Sequence, residues 1–145
     1  MPAATRENIG YLLAKASQRW NEILYDGFVA AGFPEVRPSY GSVLIPLFEE
    51  DGLRIGEIAR RARLSKQTMT TLVRLCERDG LVERRPDPGD GRAVLVALTW
   101  RGAEFKPEAE RLIERMEAEI SESLGARRSA LTRAALKELA ELGQV

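Results

Sequence analysis

The segment after Gly52 restricts the fold more than any other, because two helical patterns in it are followed by strand patterns. Residues 53–80 read LRIGEIARRARLSKQTMTTLVRLCERDG. Apolar residues recur there at the three- and four-residue spacing of two amphipathic helices. The tight break RLS at 63–65 separates the helices, and Ser65 is a suitable N-cap for the second. The apolar positions are Ile55, Ile58, Ala59 and Ala62, then Met69, Leu72, Val73 and Cys76.

A β-hairpin is predicted directly after these helices. The stretches LVERR at 81–85 and AVLVAL at 93–98 have the composition of strands. Between them lies PDPGDGR, in which proline, aspartate and glycine are typical of a stiff chain reversal. The sequence therefore predicts a hairpin that carries one arginine, Arg92, just after its turn.

The outer face of the Ser65 helix has an unusual composition. Gln67, Thr71, Arg74 and Arg78 are spaced by four, three and four residues, which places them on one stripe opposite the apolar one. The stripe holds amide, hydroxyl and guanidinium groups and no acid, and such groups hydrogen-bond base edges and phosphates. Arg78 also suits the helix C-terminus, so a structural role is equally open for it. Short helix, turn, polar helix and hairpin together predict a winged helix-turn-helix.

Long helices are expected on both sides of this segment. Thr5 is the expected cap of a helix to about Ala31, and a second helix is expected from Pro38 and Ser39 toward Glu50. Thr99 is the expected cap of a helix to Leu124, and a last helix follows Gly125. Internal prolines predict kinks in the second helix and in the Thr99 helix, at Pro46 and Pro107.

The composition excludes several classes of function. The chain has no histidine, so the commonest general base and metal ligand is absent. It has one cysteine, Cys76, so no internal disulfide can form. No catalytic motif is present, so we expect no enzyme, no metal and no cofactor. Without an apolar run of membrane-spanning length or a signal pattern, the expected location is the cytoplasm. Cys76 lies on the apolar stripe and is interpreted as a core residue rather than a redox sensor.

The charge is unevenly distributed although its sum is zero. Residues 54–92 hold ten basic and six acidic side chains, a local charge of +4 that the rest of the chain cancels. A basic middle between acidic flanks favours an anionic partner, although an imbalance of this size also arises by chance.

Residues 53–102 resemble the winged helix-turn-helix of the MarR family of bacterial transcription regulators, most specifically in DGLVERRPDPGDGR and in Leu98, Thr99 and Gly102. The resemblance implies a mainly α fold with a small β hairpin. It also implies a homodimer, with dimerisation helices at 1–36 and 100–145 around a DNA-binding domain at 37–99.

The resemblance further implies a bacterial, nucleoid-associated repressor that binds a pseudo-palindromic operator. In it Arg92 is the wing arginine that enters the minor groove, and Asp90 is the acid that orients it. The implied DNA-binding residues are Ser65, Lys66, Gln67, Thr68, Thr71, Arg74, Asp90 and Arg92.

Release of such a repressor by a small aromatic or phenolic effector is also implied. Trp20, Arg37 and Tyr40 are the candidates for binding it, while packing in the core or in the dimer is the alternative role for these side chains. Arg54 departs from the family, which often has a serine or threonine cap there, and a DNA phosphate is one expected partner for it. The rival interpretation of the whole chain is a winged-helix dimer that binds proteins and not DNA.

Overall fold

The computed structural model describes residues 2–143, and the predicted mainly α fold with one hairpin is confirmed. A single 3₁₀ turn, Pro38–Tyr40, precedes the second helix. The described part of the chain contains, in order, α1 (Ile9–Ala30), α2 (Gly41–Glu49), α3 (Ile55–Ala62), α4 (Lys66–Arg78), β1 (Val82–Asp87), β2 (Asp90–Leu98), α5 (Trp100–Leu124) and α6 (Ala126–Ala140).

The start of α1 corrects a prediction, since Asn8 and not Thr5 caps this helix. The side-chain oxygen of Asn8 accepts a hydrogen bond of 2.8 Å from the backbone N–H of Tyr11. Thr5 lies in a preceding turn, where its carbonyl accepts from the backbone of Asn8 at 3.2 Å. Asparagine caps at least as well as threonine, so the residue nearer the apolar stripe prevails.

The two internal prolines do not interrupt their helices. Pro46 is buried within α2, and Pro107 is exposed within α5. The second helix does start later than predicted, because Pro38–Tyr40 forms the 3₁₀ turn and α2 begins at Gly41. The kinks themselves remain predictions.

The core around α4 follows the predicted stripe. Met69, Val73 and Cys76 are completely buried, while Leu72 is half-buried. α4 packs on α2, α3 and β1, so its inner face is held from three sides. Ser65 caps α4 as predicted, accepting a hydrogen bond of 3.0 Å from the backbone N–H of Thr68.

The hairpin is longer and less regular than predicted. β1 and β2 pair antiparallel from Val82 opposite Leu98 to Pro86 opposite Val94, and then Asp87 pairs with Asp90. This shift leaves residues 91–93 as a bulge on β2. Leu53 forms an isolated β-bridge with Val96, which the sequence did not predict. The two residues exchange backbone hydrogen bonds of 3.0 and 2.7 Å.

The junction between hairpin and α5 explains the motif of Leu98, Thr99 and Gly102. The Thr99 hydroxyl accepts a bond of 3.1 Å from the N–H of Gly102 and donates one of 2.6 Å to the carbonyl of Gly80. A Cβ at position 102 would lie 2.2 Å from the carbonyl oxygen of Leu81, so only glycine fits. The predicted Thr99 cap is confirmed.

The chain divides into two compact units between Ala109 and Glu110, within α5. Both units carry exposed apolar side chains on a terminal helix. No helix among residues 2–143 is long and apolar enough to cross a membrane. The exposed apolar residues include Ile9, Leu12 and Leu13 on α1, and Leu131, Leu136 and Leu139 on α6.

Candidate nucleic-acid interface

The outer face of α4 presents polar groups to solvent. Gln67, Thr71 and Arg74 are exposed, as are Ser65, Lys66 and Thr68 in the first turn. The Thr71 hydroxyl donates to the carbonyl of Gln67 at 3.3 Å, which leaves its oxygen free to accept. This face therefore offers both donors and acceptors, as a base edge or a phosphate requires.

Among the described residues Arg74 is unpaired, whereas the other arginines of α3 and α4 form ion pairs within the chain. Arg60 and Arg61 both bond Glu57, at 2.6 and 3.0 Å, and Arg78 bonds its neighbour Asp79 at 3.1 Å. The guanidinium of Arg74 has no hydrogen bond or ion pair with residues 2–143, and the same holds for the Lys66 ammonium. Arg78 thus has a structural partner, whereas Arg74 and Lys66 are available to a ligand.

The tip of the wing, residues 87–92, is organised by two aspartates. Asp87 Oδ1 accepts the N–H of Gly89 at 2.9 Å, and Asp90 Oδ1 accepts the N–H of Arg92 at 3.0 Å. These bonds are typical of Asx turns, in which a short side chain replaces a backbone acceptor. Asp90 thus contacts Arg92 through its backbone, while the exposed guanidinium of Arg92 has no partner among the described residues.

Arg54 makes a contact that the sequence did not reveal. Its Nε and an Nη lie 3.2 and 2.8 Å from Oδ2 of Asp87, and the same Nη lies 3.8 Å from Asp90. Hydrogen bonding to Arg54 lowers the pKa of Asp87. Arg54 stands at the N-cap of α3 without a capping bond, and 33 residues separate it from Asp87. The signal in the sequence was that Arg54 stands at a helix start where the MarR family often has a serine or threonine cap.

The three candidate effector residues lie in different environments. Tyr40 is buried, and its hydroxyl donates a bond of 2.5 Å to Asp79 Oδ2. Trp20 is half-buried, and Arg37 is exposed, with its guanidinium 5.2 Å from the ring centre of Tyr25. An open groove of about 640 Å³ is lined by Arg37 but by neither Trp20 nor Tyr40; the other lining residues are Ala14, Ser17, Gln18, Asn21, Glu22, Tyr25 and Pro38.

Cys76 is buried in the core beneath the polar face. Burial raises the pKa of its thiol to about 12, and the nearby charge of Asp79 acts in the same direction. A thiol of this kind is neutral at pH 7 and hidden from solvent, so it lacks the thiolate that redox chemistry needs.

Known proteins share this arrangement. Residues 47–93 match the MarR family. An uncharacterized HTH-type transcriptional regulator of Mycobacterium leprae is 36% identical over 80 residues, which are 52% of this chain and 56% of the relative. The chain spans about half the length of most of the curated relatives it matches.

Solved structures extend the similarity beyond residues 47–93 to the flanking helices. The PcaV transcriptional regulator of Streptomyces coelicolor, solved with its natural ligand, has a TM-score of 0.80 and 26% identity over 99% of this chain and 100% of its own. The transcriptional repressor CouR, bound to a 23-mer DNA duplex, has a TM-score of 0.75 and 26% identity over 92% of this chain and 93% of its own. The helix-turn-helix and the wing of this chain, residues 47–93, are therefore similar to those of the MarR family of winged helix-turn-helix proteins.

Proposed function

We propose that this protein is a sequence-specific regulator of transcription that binds double-stranded DNA with α4 and the wing. The observation that carries the proposal is the set of exposed cations without a partner among residues 2–143, Lys66 and Arg74 on α4 and Arg92 on β2. Cations that form no internal ion pair attract an anionic ligand at little cost. The similarity to CouR, which was solved with DNA, supports the same function.

The two elements have different roles in this proposal. α4 enters the major groove, where Gln67 reads bases with its amide and Arg74 and Lys66 contact phosphates or guanines. Ser65, Thr68 and Thr71 add hydroxyl contacts around them. Arg92, displayed by the bulge of β2, enters the minor groove, where a narrow A·T-rich sequence attracts arginine. Asp90 fixes the backbone of Arg92 rather than its guanidinium.

A homodimer is the proposed assembly, built from helices at 1–36 and 100–145. The exposed leucines and isoleucine of α1 and α6 support it, because a dimer would remove this apolar surface from water. Two-fold symmetry pairs half-sites about 10 bp apart in a pseudo-palindromic operator.

Sedimentation equilibrium tests the assembly. Leu12→Glu should convert the dimer to monomer, because it places a charge in the apolar surface. Gln18→Glu, which introduces the same residue on the side of α1 opposite the stripe of Ile9, Leu12 and Leu13, should leave the dimer intact. A wild-type monomer at micromolar concentration would contradict the assembly.

A small aromatic or phenolic effector that releases a repressor from DNA is the proposed means of control. The natural ligand in the PcaV structure supports an effector in this chain. Arg37 over the ring of Tyr25 offers a cation and an aromatic wall, which suit an aromatic carboxylate. Titration of the protein–DNA complex with such compounds should raise the dissociation constant, and no change with any of them would refute this control.

The proposed regulator is non-enzymatic and cytoplasmic. The rival function is a winged-helix dimer that binds proteins only. A gel shift with random-sequence duplex across salt concentrations separates the two, because phosphate contacts make affinity fall steeply with salt. Retarded duplex at low salt that is released at high salt supports DNA binding, whereas no retardation at low salt favours the rival.

A further inference from the structure

We infer that Arg54 is a positioning residue that holds the wing tip and thereby sets where Arg92 meets DNA. This inference rests on the proposed function, because it assigns to Arg54 a part in the wing's recognition of the minor groove. Arg54 acts through Asp87 and Asp90 and need not touch DNA itself.

The side chain of Arg54 reaches the end of β1. Two of its nitrogens, Nε and one Nη, converge on a single oxygen, Oδ2 of Asp87, at 3.2 and 2.8 Å. The Asp87 side chain is 18% exposed and that of Arg54 is 52% exposed, so the pair lies at the surface and has the modest strength of an exposed ion pair. The contact links the first turn of the helix-turn-helix to the end of β1.

The contact of Arg54 with Asp87 continues into the turn of the hairpin. The other oxygen of Asp87 accepts the N–H of Gly89, so Arg54 holds a carboxylate that shapes the reversal itself. The same Arg54 Nη lies 3.8 Å from Asp90, whose Oδ1 accepts the N–H of Arg92. The carboxylate of Asp90 therefore connects the guanidinium of Arg54 with the backbone of Arg92.

Arg92 lies in the bulge of β2. Residues 91–93 lack partners on β1, so the ladder does not fix the backbone of Arg92. A two-stranded hairpin with an irregular end is weakly restrained by itself. The contacts of Arg54 with Asp87 and Asp90 supply the restraint that strand pairing omits.

The test separates positioning from direct DNA contact. Affinities are measured by fluorescence anisotropy for two duplexes with one selected core and either A·T or G·C flanks. Arg54→Gln should reduce the preference for A·T flanks by about two- to fivefold, the effect of one exposed ion pair. Arg60→Gln removes the same charge from the same helix, where Arg60 pairs with Glu57, and should keep the preference.

Two further variants distinguish positioning from a merely structural effect. Arg54→Lys keeps the charge and should restore part of the flank preference. In an Arg92→Ala background, Arg54→Gln should cause no further loss of that preference, because the residue it positions is absent. A phosphate contact would instead lower affinity equally for both flanks and reduce the salt slope by about one, which would overturn the inference.

Amide hydrogen exchange tests the restraint without DNA. The amides of Gly89 and Arg92 should exchange faster in Arg54→Gln than in wild type, while those of Met69 and Val73 in the core of α4 should not change. Unchanged exchange at Gly89 and Arg92 overturns the inference even if the protein binds DNA. If wild type binds no duplex, the proposed function fails, and the exchange result still decides whether Arg54 holds the wing.

Discussion

The hydroxyl of Tyr40 donates a hydrogen bond of 2.5 Å to the carboxylate of Asp79. This bond joins the 3₁₀ turn before α2 to the C-cap of α4, across 39 residues of chain. Asp79 also accepts from Arg78 at 3.1 Å, so one carboxylate holds both the end of the proposed recognition helix and the buried ring. The end of α4 is therefore fixed by polar contacts as well as by its apolar stripe.

Tyr40→Phe should destabilise the fold by about 1.5 kcal/mol, because it removes a hydrogen bond to a charged group and keeps the ring. Urea unfolding at pH 7, followed by circular dichroism, measures the change. Tyr11→Phe, at an exposed tyrosine, should leave the midpoint unchanged. Equal midpoints for Tyr40→Phe and wild type would contradict a stabilising role for the bond.

The stabilisation by the Tyr40 hydroxyl should depend on pH. Burial and the hydrogen bond to Asp79 raise the pKa of Tyr40 to about 12 from an ordinary 10. The neutral phenol is favoured in the fold, so its stabilisation is complete below pH 10 and is lost as the pH rises toward 12. The difference in unfolding free energy between wild type and Tyr40→Phe should shrink over that window. A constant difference from pH 9 to pH 12 would refute the assignment.

Gly102→Ala should destabilise the fold by about 2–3 kcal/mol, since its Cβ would meet the backbone carbonyl of Leu81 at 2.2 Å. Thermal unfolding measures the loss. Gly56→Ala is the matched control, because Gly56 lies within α3 and a Cβ there meets nothing within 4 Å. That control should be neutral or stabilise by up to about 1 kcal/mol. Similar melting temperatures for the two variants would show that the close approach is wrong.

Cys76 should resist thiol reagents in the native protein. It is the one cysteine of the chain, it is fully buried, and its pKa is raised to about 12. A chromogenic disulfide reagent should label no thiol within minutes at pH 7 and one thiol per chain in denaturant. Rapid labelling of the native protein would instead revive a redox role for Cys76.

Gln67→Ala and Arg92→Ala should change DNA recognition in different ways. Gln67→Ala should relax base preference in the major groove, at about 1–3 kcal/mol for a bidentate contact. Arg92→Ala should weaken binding most at sites with A·T-rich flanks. Competition between selected and altered duplexes measures both effects. Equal loss on all sequences for both variants would remove the proposed division between helix and wing.

Local features of the structure were predictable from the sequence, because their causes lie within a few residues. Ser65 and Thr99 cap their helices as expected, and the stripe of Met69, Val73 and Cys76 is buried. Caps and apolar stripes depend on spacing alone, which a single sequence displays. At α1 the prediction of Thr5 was wrong, because Asn8, which caps at least as well and lies nearer the apolar stripe, caps the helix.

Contacts between distant residues were not predictable in the same way. The pairing of Leu53 with Val96 and of Arg54 with Asp87 depends on how the hairpin returns to the start of α3. No periodicity encodes such a return. The bulge of β2 was not predicted either, because the run AVLVAL begins at Ala93 within the bulge and is apolar throughout, so it does not indicate an interrupted register.

Selection of bound sequences from a random pool of duplex DNA tests the central claim most directly. We expect enrichment of pseudo-palindromic sites, with half-sites about 10 bp apart and A·T-rich positions where the wings lie. Wild type should bind the enriched duplex more tightly than random duplex. Gln67→Ala should lose most of this preference. A pool that shows no enrichment, together with no gel shift of random duplex at low salt, would contradict DNA binding by this protein.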